Sequence, residues 1–332
     1  MKKLYFINLW DEALTKRGLF YLEKKGYSVA GNWLTSKYYK SLKDFNPDFI
    51  IYAPTSDKET INQIMSFKKP FLIWVLYPDQ NVGWDYNKKI YLKRKQAYMV
   101  KLINHSVKKS SIVVNSNFTS GLIKDTYKIG DDNIKAIYPG IDTKGIYKYK
   151  RRKKSKPLSV LWNHKWRTDK GFLDALKIVY KLSKKYPFVK FTMGSKERWG
   201  ECPNLRLMKS EYKKFRSNLK GIENISFIKT FRLQEDYWDF LSKYDLSFSV
   251  SHHESFGLGM LESSLLHATV VPNNEVYPEL YKKFISEDVE KDLDLLIRNK
   301  SEINELRYQR KRISLKFDII KTLKKLLKEI EI

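Results

Sequence analysis

Ser251-His-His-Glu-Ser-Phe-Gly-Leu-Gly-Met-Leu-Glu262 holds two acidic residues, Glu254 and Glu262, around a phenylalanine and two glycines. Residues 245–250 before it alternate in the way typical of a strand, and the residues after Gly259 have apolar side chains at helical spacing. The segment therefore predicts a strand, a glycine-bearing turn and a helix N-terminus. Backbone N–H groups and the helix dipole make such a turn a binding site for an anion, most often a phosphate.

The spacing of the two carboxylates indicates what they do. If the whole segment were helical, a rise of ~1.5 Å per residue would separate them by roughly 12 Å, too far for both to act on one bond. We expect them to contact different ends of one long ligand, with Glu254 near the reacting end and Glu262 accepting hydrogen bonds from hydroxyls such as those of a ribose. The alternative is a solvated helix start, where acidic residues are favoured by the dipole.

The pattern Glu254-(seven residues)-Glu262 with an internal Phe-Gly resembles the signature of retaining nucleotide-sugar glycosyltransferases of family 4. The resemblance implies an α/β architecture of the GT-B type, in which two Rossmann-like domains with parallel sheets face each other across a cleft. It also implies that Glu254 holds the sugar, that Glu262 holds the ribose, and that backbone groups of four consecutive residues contact the donor: Phe256, Gly257, Leu258 and Gly259.

A second motif lies upstream, in Asn163-His-Lys-Trp-Arg-Thr-Asp-Lys170 after a predicted strand at 158–162. Family members have an arginine there and a lysine five residues later, both binding the donor diphosphate, and Lys165 and Lys170 stand at that spacing. A lysine supplies the charge but loses the bidentate fork of arginine. The resemblance implies that both lysines act in catalysis with Glu254 and that Asn163 lies at the donor site. The alternative is a pair of exposed loop lysines.

Three segments are similar to a narrower group, the tRNA-queuosine mannosyltransferases: residues 160–170, 253–262 and 271–280. That similarity implies GDP-mannose as donor and a modified tRNA base as acceptor. It is weaker in the first half of the chain, where Tyr77-Pro-Asp-Gln80 replaces the His-Glu-Asn-Gln of that group.

Length and composition limit the possible architectures and partners. A chain of 332 residues has room for two domains, and no apolar run is long enough to cross a bilayer. With Cys202 as the one cysteine, the sequence favours a reducing cytoplasm, with peripheral membrane contact as an option. The net charge of +27 attracts polyanions such as nucleic acid or anionic lipid. Compositional bias is the alternative, because Lys, Asn, Ile and Tyr are all abundant.

The order of patterns predicts four regions. Residues 1–147 form an acceptor-side Rossmann-like domain, 148–157 a basic linker, 158–298 the donor-binding domain, and 299–332 a helical segment that packs back on the first domain. Three acceptor-side candidates lie in the first region. Asp79 and Gln80 follow a buried strand, where ligands of open α/β sheets bind, and Gly18 is the glycine nearest the first turn, where family members commonly carry a Gly-Gly pair.

The resemblance implies a retaining hexosyltransferase that uses a GDP- or UDP-sugar, and with lysines to neutralise the diphosphate we expect it to need neither a metal ion nor a cofactor. His252 and His253 beside Glu254 do not predict a metal site, because adjacent side chains diverge. A nucleic acid, tRNA or modified DNA, is the expected acceptor. A membrane lipid or polysaccharide acceptor is the first alternative, and a non-catalytic nucleic-acid-binding protein on a transferase scaffold is the second. Oligomeric state is left open.

Overall fold

A computed structural model describes most of the chain. The residues outside the described part are 8–10, 33, 35–39, 54–61, 63, 65, 67–70, 76–83, 86–89, 92–111, 128–129, 150–156, 165, 168, 195–204, 229–230, 232, 255, 275, 282–284 and 331–332.

Strands and helices alternate along the described chain, as expected for α/β domains. The strands are β1 Lys2–Ile7, β2 Tyr27–Gly31, β3 Phe49–Tyr52, β4 Phe71–Val75, β5 Trp84–Asp85, β6 Ile90–Tyr91, β7 Ile112–Val114, β8 Ile134–Ala136, β9 Ser159–Trp162, β10 Lys190–Met193, β11 Ile225–Phe227, β12 Leu246–Phe248 and β13 Ala268–Val270. The helices are α1 Asp11–Lys24, α2 Leu42–Phe45, α3 Asn117–Tyr127, α4 Thr143–Tyr147, α5 Phe172–Lys185, α6 Leu205–Arg216, α7 Gln234–Leu241, α8 Leu258–Leu266, α9 Tyr277–Tyr281, α10 Val289–Arg298, α11 Lys300–Ser314 and α12 Ile319–Ile330. Short 3-10 turns occupy Asp131–Asn133 and Ser217–Leu219.

The first unit contains residues 1–142 and 317–332. Its six-stranded sheet has the order β2-β1-β3-β4-β7-β8, and all neighbouring strands are parallel. Strands β3 and β4 are almost continuously apolar and buried because the sheet packs a core on each face.

The second unit contains residues 143–316. Its five-stranded sheet has the order β11-β10-β9-β12-β13, again with parallel neighbours. Trp162 at the end of β9 is in register with Met193 of β10 and Phe248 of β12. The residues that follow β9 and β12 therefore emerge side by side at the carboxyl edge of the sheet. Together the two sheets confirm the predicted pair of parallel α/β domains.

The C-terminal segment divides between the units. Helix α11 packs on α8 and β13 in the second unit, whereas α12 packs on α1 and β4 in the first. Helix α12 is amphipathic, with Leu323, Leu326 and Leu327 buried on one face. Asp318, just before it, binds the Arg17 guanidinium with an N–O distance of 2.7 Å. The part of the C-terminal segment that belongs to the first unit therefore begins at residue 317, whereas the sequence pattern predicted its start at residue 299. Most of the expected linker, residues 150–156, lies outside the described part.

Gly18 lies within α1 and faces α12. A Cβ atom at this position would lie 3.0 Å from Leu323 Cδ1. The helix is kinked at Thr15, whose φ is +56° and whose hydroxyl accepts a hydrogen bond from the Gly18 N–H at 3.2 Å. Close packing of two helices accounts for this glycine, and its acceptor-side role stays a prediction.

In the described part of the chain, no helix combines the length and the apolar character needed to cross a membrane.

Candidate functional site

The candidate site lies at the carboxyl edge of the second sheet. One loop leaves β9 at Asn163 and reaches α5, and another leaves β12 and reaches α8 at Leu258. Ligands of open α/β sheets bind at this edge, because loops from adjacent parallel strands meet there. The Asn163–Lys170 motif is on the first loop, and the Ser251–Glu262 motif spans the second loop and the start of α8.

A buried ion pair joins the loops. The Lys170 Nζ lies 3.1 Å from Glu254 Oε2 and donates a hydrogen bond to the His253 carbonyl at 2.8 Å. Burial opposes ionisation of the Glu254 carboxyl, but the charge and hydrogen bond of Lys170 outweigh it and lower the pKa. Glu254 is therefore an ionised carboxylate at neutral pH, held beside a cation.

Close backbone contact fixes this pair. Gly171 has a φ of +66°, and a Cβ atom there would lie 2.3 Å from the Val250 carbonyl oxygen, so a side chain is excluded. The N–H groups of His252 and His253 both donate to the Asp169 carbonyl, at 3.0 and 3.3 Å. The loop that carries Lys170 is thereby hydrogen-bonded to the loop that carries Glu254.

Helix α8 begins at this point. Its N-cap, Gly257, has a φ of +80° and provides no side-chain cap. A Cβ atom on Gly257 would lie 2.6 Å from Tyr277 Cε1, so the tyrosine ring also requires glycine here. The N-terminus of α8, at Leu258 and Gly259, presents the positive end of the helix dipole beside the Lys170 ammonium, which favours an anionic ligand.

Asn163, the first residue after β9, is hydrogen-bonded to groups on α7 and α8. Its amide nitrogen lies 2.7 Å from the Tyr237 hydroxyl, 3.0 Å from Ser263 Oγ and 3.3 Å from the Gly259 carbonyl oxygen. These contacts hold the start of α8 against the end of β9. Asn163 is therefore at the site, and its amide nitrogen positions the helix.

Glu262 lies one turn further into α8, where it is 8% exposed. The Trp238 indole N–H donates a hydrogen bond to Glu262 Oε1 at 3.1 Å. Burial, together with the negative charge of Glu262, raises the pKa of Tyr237, so this phenol stays protonated. Sequence reasoning did not place the aromatic pair Tyr237 and Trp238 of α7 at the site.

Two further groups surround Glu254 and were missed. The ring Nε2 of His164 lies 2.8 Å from Ser249 Oγ, and burial lowers the pKa of His164 to about 4, so the ring is neutral at physiological pH. The Tyr277 hydroxyl lies 3.5 Å from Glu254 Oε2, and burial raises its pKa well above the ordinary value. The available signal was the similarity over residues 271–280, which contain Tyr277.

Lys165, Asp79 and Gln80 lie outside the described residues, so their roles stay predictions. The His252 Nε2 lies 3.0 Å from Asp174 Oδ2 on the surface. Among the described residues, no group of three or more His, Cys, Asp or Glu side chains is arranged to hold a metal ion.

Solved structures with the same architecture include a glycosyltransferase from Rickettsia africae, with 16% identity, a TM-score of 0.70, and coverage of 98% of this chain and 97% of that one. HepE from Anabaena, solved in complex with UDP-glucose, has 14% identity, a TM-score of 0.68, and coverage of 100% of both chains. Sucrose-phosphate synthase from Thermosynechococcus elongatus has 9% identity, a TM-score of 0.71, and coverage of 99% of both.

The fold is the GT-B fold of glycosyltransferases. No protein-family model matches the chain, and no curated protein sequence matches it. At these identities the likeness covers the fold, and the chemistry of this chain depends on its own residues.

Proposed function

We propose that the protein is a retaining, metal-independent glycosyltransferase that moves a hexose from a GDP- or UDP-sugar to an acceptor. The observation that carries this proposal is the buried Lys170–Glu254 pair at the N-terminus of α8, whose next turn presents Glu262. A cation, a helix N-terminus and two carboxylates, one before α8 and one in its second turn, match the parts of a nucleotide sugar: diphosphate, sugar hydroxyls and ribose hydroxyls. HepE, a structural neighbour, was crystallised with UDP-glucose.

In this proposal the diphosphate lies against the Lys170 ammonium, the Lys165 ammonium and the backbone N–H groups of Gly257 to Gly259. Glu254 accepts hydrogen bonds from the sugar, and Glu262 accepts them from the ribose. Burial raises the pKa of Tyr277, so its hydroxyl stays protonated at neutral pH; it lies 3.5 Å from both Glu254 Oε2 and Ser249 Oγ and is one proton donor beside the carboxylate.

The reaction breaks the bond between the anomeric carbon and the diphosphate oxygen. The electron pair leaves with the diphosphate, whose growing negative charge is stabilised by the lysines and the helix N-terminus. The acceptor hydroxyl then forms the new bond to the anomeric carbon from the same face, and its proton passes to the departing phosphate oxygen. Because fixed cations stabilise the leaving group, the reaction needs no metal ion.

We propose a nucleic acid, a modified base in tRNA or DNA, as the acceptor. The net charge of +27 supports a polyanionic partner. A membrane lipid or polysaccharide acceptor, and a protein that binds nucleic acid without catalysis, are the outcomes against which this proposal is tested.

The donor half is tested by isothermal titration of GDP- and UDP-sugars into the wild-type protein and the Glu262→Gln variant. Glu290→Gln, on the surface helix α10 of the same unit, is the matched control. We expect one nucleotide class to bind and Glu262→Gln to weaken it at least tenfold, with or without EDTA. Failure of every nucleotide sugar to bind, or equal binding by Glu262→Gln, would exclude the proposed enzyme. Mass spectrometry of tRNA, DNA and lipid after incubation with the bound donor identifies the acceptor, and NMR of the product gives the anomeric configuration.

A further inference from the structure

A groove opens on the second unit, apart from the candidate donor site. It has a volume of about 680 Å³ and lies between the end of α6, the following 3-10 turn and the edge strand β11; its lining residues are Tyr212, Lys213, Arg216, Ser217, Leu219, Lys220 and Phe227. This volume is within the usual range of ligand-binding clefts.

The groove carries positive charge that the described residues do not neutralise. Lys213, Arg216 and Lys220 are exposed, and no carboxylate of the described residues forms an ion pair with any of them. Lys214, on the next position of the same helix, is by contrast paired with Glu211 at 2.8 Å. Three cations along one groove favour a ligand with several negative charges.

Aromatic rings lie among these cations. Phe227, at the carboxyl end of β11, is 38% exposed, and the partly buried Tyr212 lines the same groove. Both rings pack edge-on against the buried Trp166, with centroid distances of 5.4 Å for Phe227 and 4.9 Å for Tyr212. The exposed Phe227 is thus held by a rigid neighbour and presents a fixed apolar surface inside a basic groove.

The groove is connected to the candidate site through the same Trp166. This residue lies in the loop between Asn163 and Lys170, and its indole N–H donates to the Gly194 carbonyl at 2.7 Å. In the sheet β11 is two strands away from β9, which at ~4.8 Å per strand corresponds to about 10 Å along the carboxyl edge. Helix α6 runs from this edge towards the amino edge, so the groove meets the carboxyl edge at Phe227 and extends from there along β11 to Arg216 and Lys220. A polymer whose reacting unit is at the donor site therefore meets the groove first at Phe227, and its more distant units continue along the cations.

We propose that this groove binds single-stranded nucleic acid next to the reacting nucleotide, with Lys213, Arg216 and Lys220 on the phosphates and Phe227 stacked on a base. Proteins that bind single strands combine cations that contact the phosphates with aromatic side chains on which the bases stack. An anionic membrane is the alternative ligand against which this proposal is tested. The inference deepens the proposed function and rests on it for the link to catalysis.

The experiment measures binding of fluorescein-labelled 10-nucleotide RNA and DNA of one sequence at several salt concentrations. The test variant replaces all three cations by glutamine: Lys213→Gln, Arg216→Gln and Lys220→Gln. Since each phosphate contact on a single strand contributes about 0.7 to the slope of log K against log salt, we expect the slope to fall by about 2. The matched control, Lys324→Gln, Lys325→Gln and Lys328→Gln on the exposed face of α12, removes the same charge and should leave the slope unchanged.

A second variant tests stacking. Phe227→Ala should weaken binding roughly 5- to 100-fold with the salt slope kept, because a base–aromatic contact is lost while the phosphate contacts remain. Phe188→Ala, which removes another exposed ring of the same unit near the start of β10, should have no effect.

An unchanged slope in the triple glutamine variant would overturn the proposal, as would failure of the wild-type protein to bind either oligonucleotide. Binding to phosphatidylserine vesicles that depends on the same three cations, without oligonucleotide binding, would overturn it in favour of a lipid. Titration of the donor into the triple variant separates the two proposals: the groove variant should bind the nucleotide sugar normally. If the oligonucleotide binds in the groove but no nucleotide sugar binds, the groove proposal is supported and the proposed glycosyltransferase activity is excluded.

Discussion

Replacing Lys170 by methionine removes the cation beside Glu254 and leaves the carboxylate buried. At the observed N–O distance of 3.1 Å, an effective dielectric constant of about 20 gives a gross attraction of about 5 kcal/mol. The net loss on removing one partner of a buried pair is about 3 kcal/mol, because the remaining charge lacks a partner. For a domain of this size that corresponds to a fall in Tm of roughly 6–12 °C.

The stability lost in the Lys170→Met variant should increase as the pH rises. In the wild-type protein the pKa of Glu254 lies below its ordinary value of 4.5, so the stabilisation is present above that pH and disappears as the pH falls through the folded-state pKa. Without Lys170, burial alone raises the pKa of Glu254, and the cost grows as the pH rises. The difference in Tm between the two proteins should therefore be largest near pH 8 and should narrow towards pH 4.

The assay is thermal unfolding of four proteins at pH 8 and pH 4.5: wild type, Lys170→Met, Glu254→Gln and the double variant. The double variant should recover most of the lost stability, since no buried charge remains, yet donor turnover should stay at least a hundredfold below wild type. Lys243→Met is the control, because its ion pair with Asp239 is exposed and is expected to contribute less than about 1 kcal/mol. A Lys170→Met protein that melts within 2 °C of wild type at pH 8, or a double variant that melts lower still, would refute this reasoning.

Three further substitutions test other parts of the fold and site. Gly257→Ala should lower the free energy of unfolding, measured by urea titration, by about 2–4 kcal/mol, because its left-handed backbone and its contact with Tyr277 both oppose a side chain. The control is Gly221→Ala, whose φ is also +80° but which has nothing within 4 Å. It should lower the same free energy by only about 1–2 kcal/mol. Trp238→Phe removes the indole hydrogen bond to Glu262, and titration calorimetry should find nucleotide binding about tenfold weaker; unchanged affinity would exclude a positioning role for the indole. Leu323→Ala leaves a cavity between α12 and α1 costing about 2–5 kcal/mol, which hydrogen exchange should detect in the first unit while nucleotide binding in the second is kept.

Local pattern was enough to predict the elements that carry the site. The alternation before Ser251 and the helical spacing after Gly259 predicted β12, a glycine turn and α8, because both periodicities are properties of neighbouring residues. The apolar stripe of the C-terminal segment likewise predicted a helix. It did not predict that the segment breaks near Asp318 into one helix on each unit, because the break depends on Arg17 and on the surface of α1, both distant in sequence.

By itself, the sequence determined the alternation of strands and helices, the Glu254 to Glu262 spacing, and Lys170 as a cation at the expected distance from the preceding strand. Only the tertiary structure decided what each carboxylate contacts. Trp238 is hydrogen-bonded to Glu262, 24 residues away in the sequence, and His164 to Ser249, 85 residues away. These contacts form because the order of strands in the sheet brings the ends of β9 and β12 together. Burial keeps His164 neutral, whereas the charge of Lys170 outweighs burial and keeps Glu254 ionised. Desolvation and Coulomb interactions are set by neighbours in space, which a pattern along the chain does not contain.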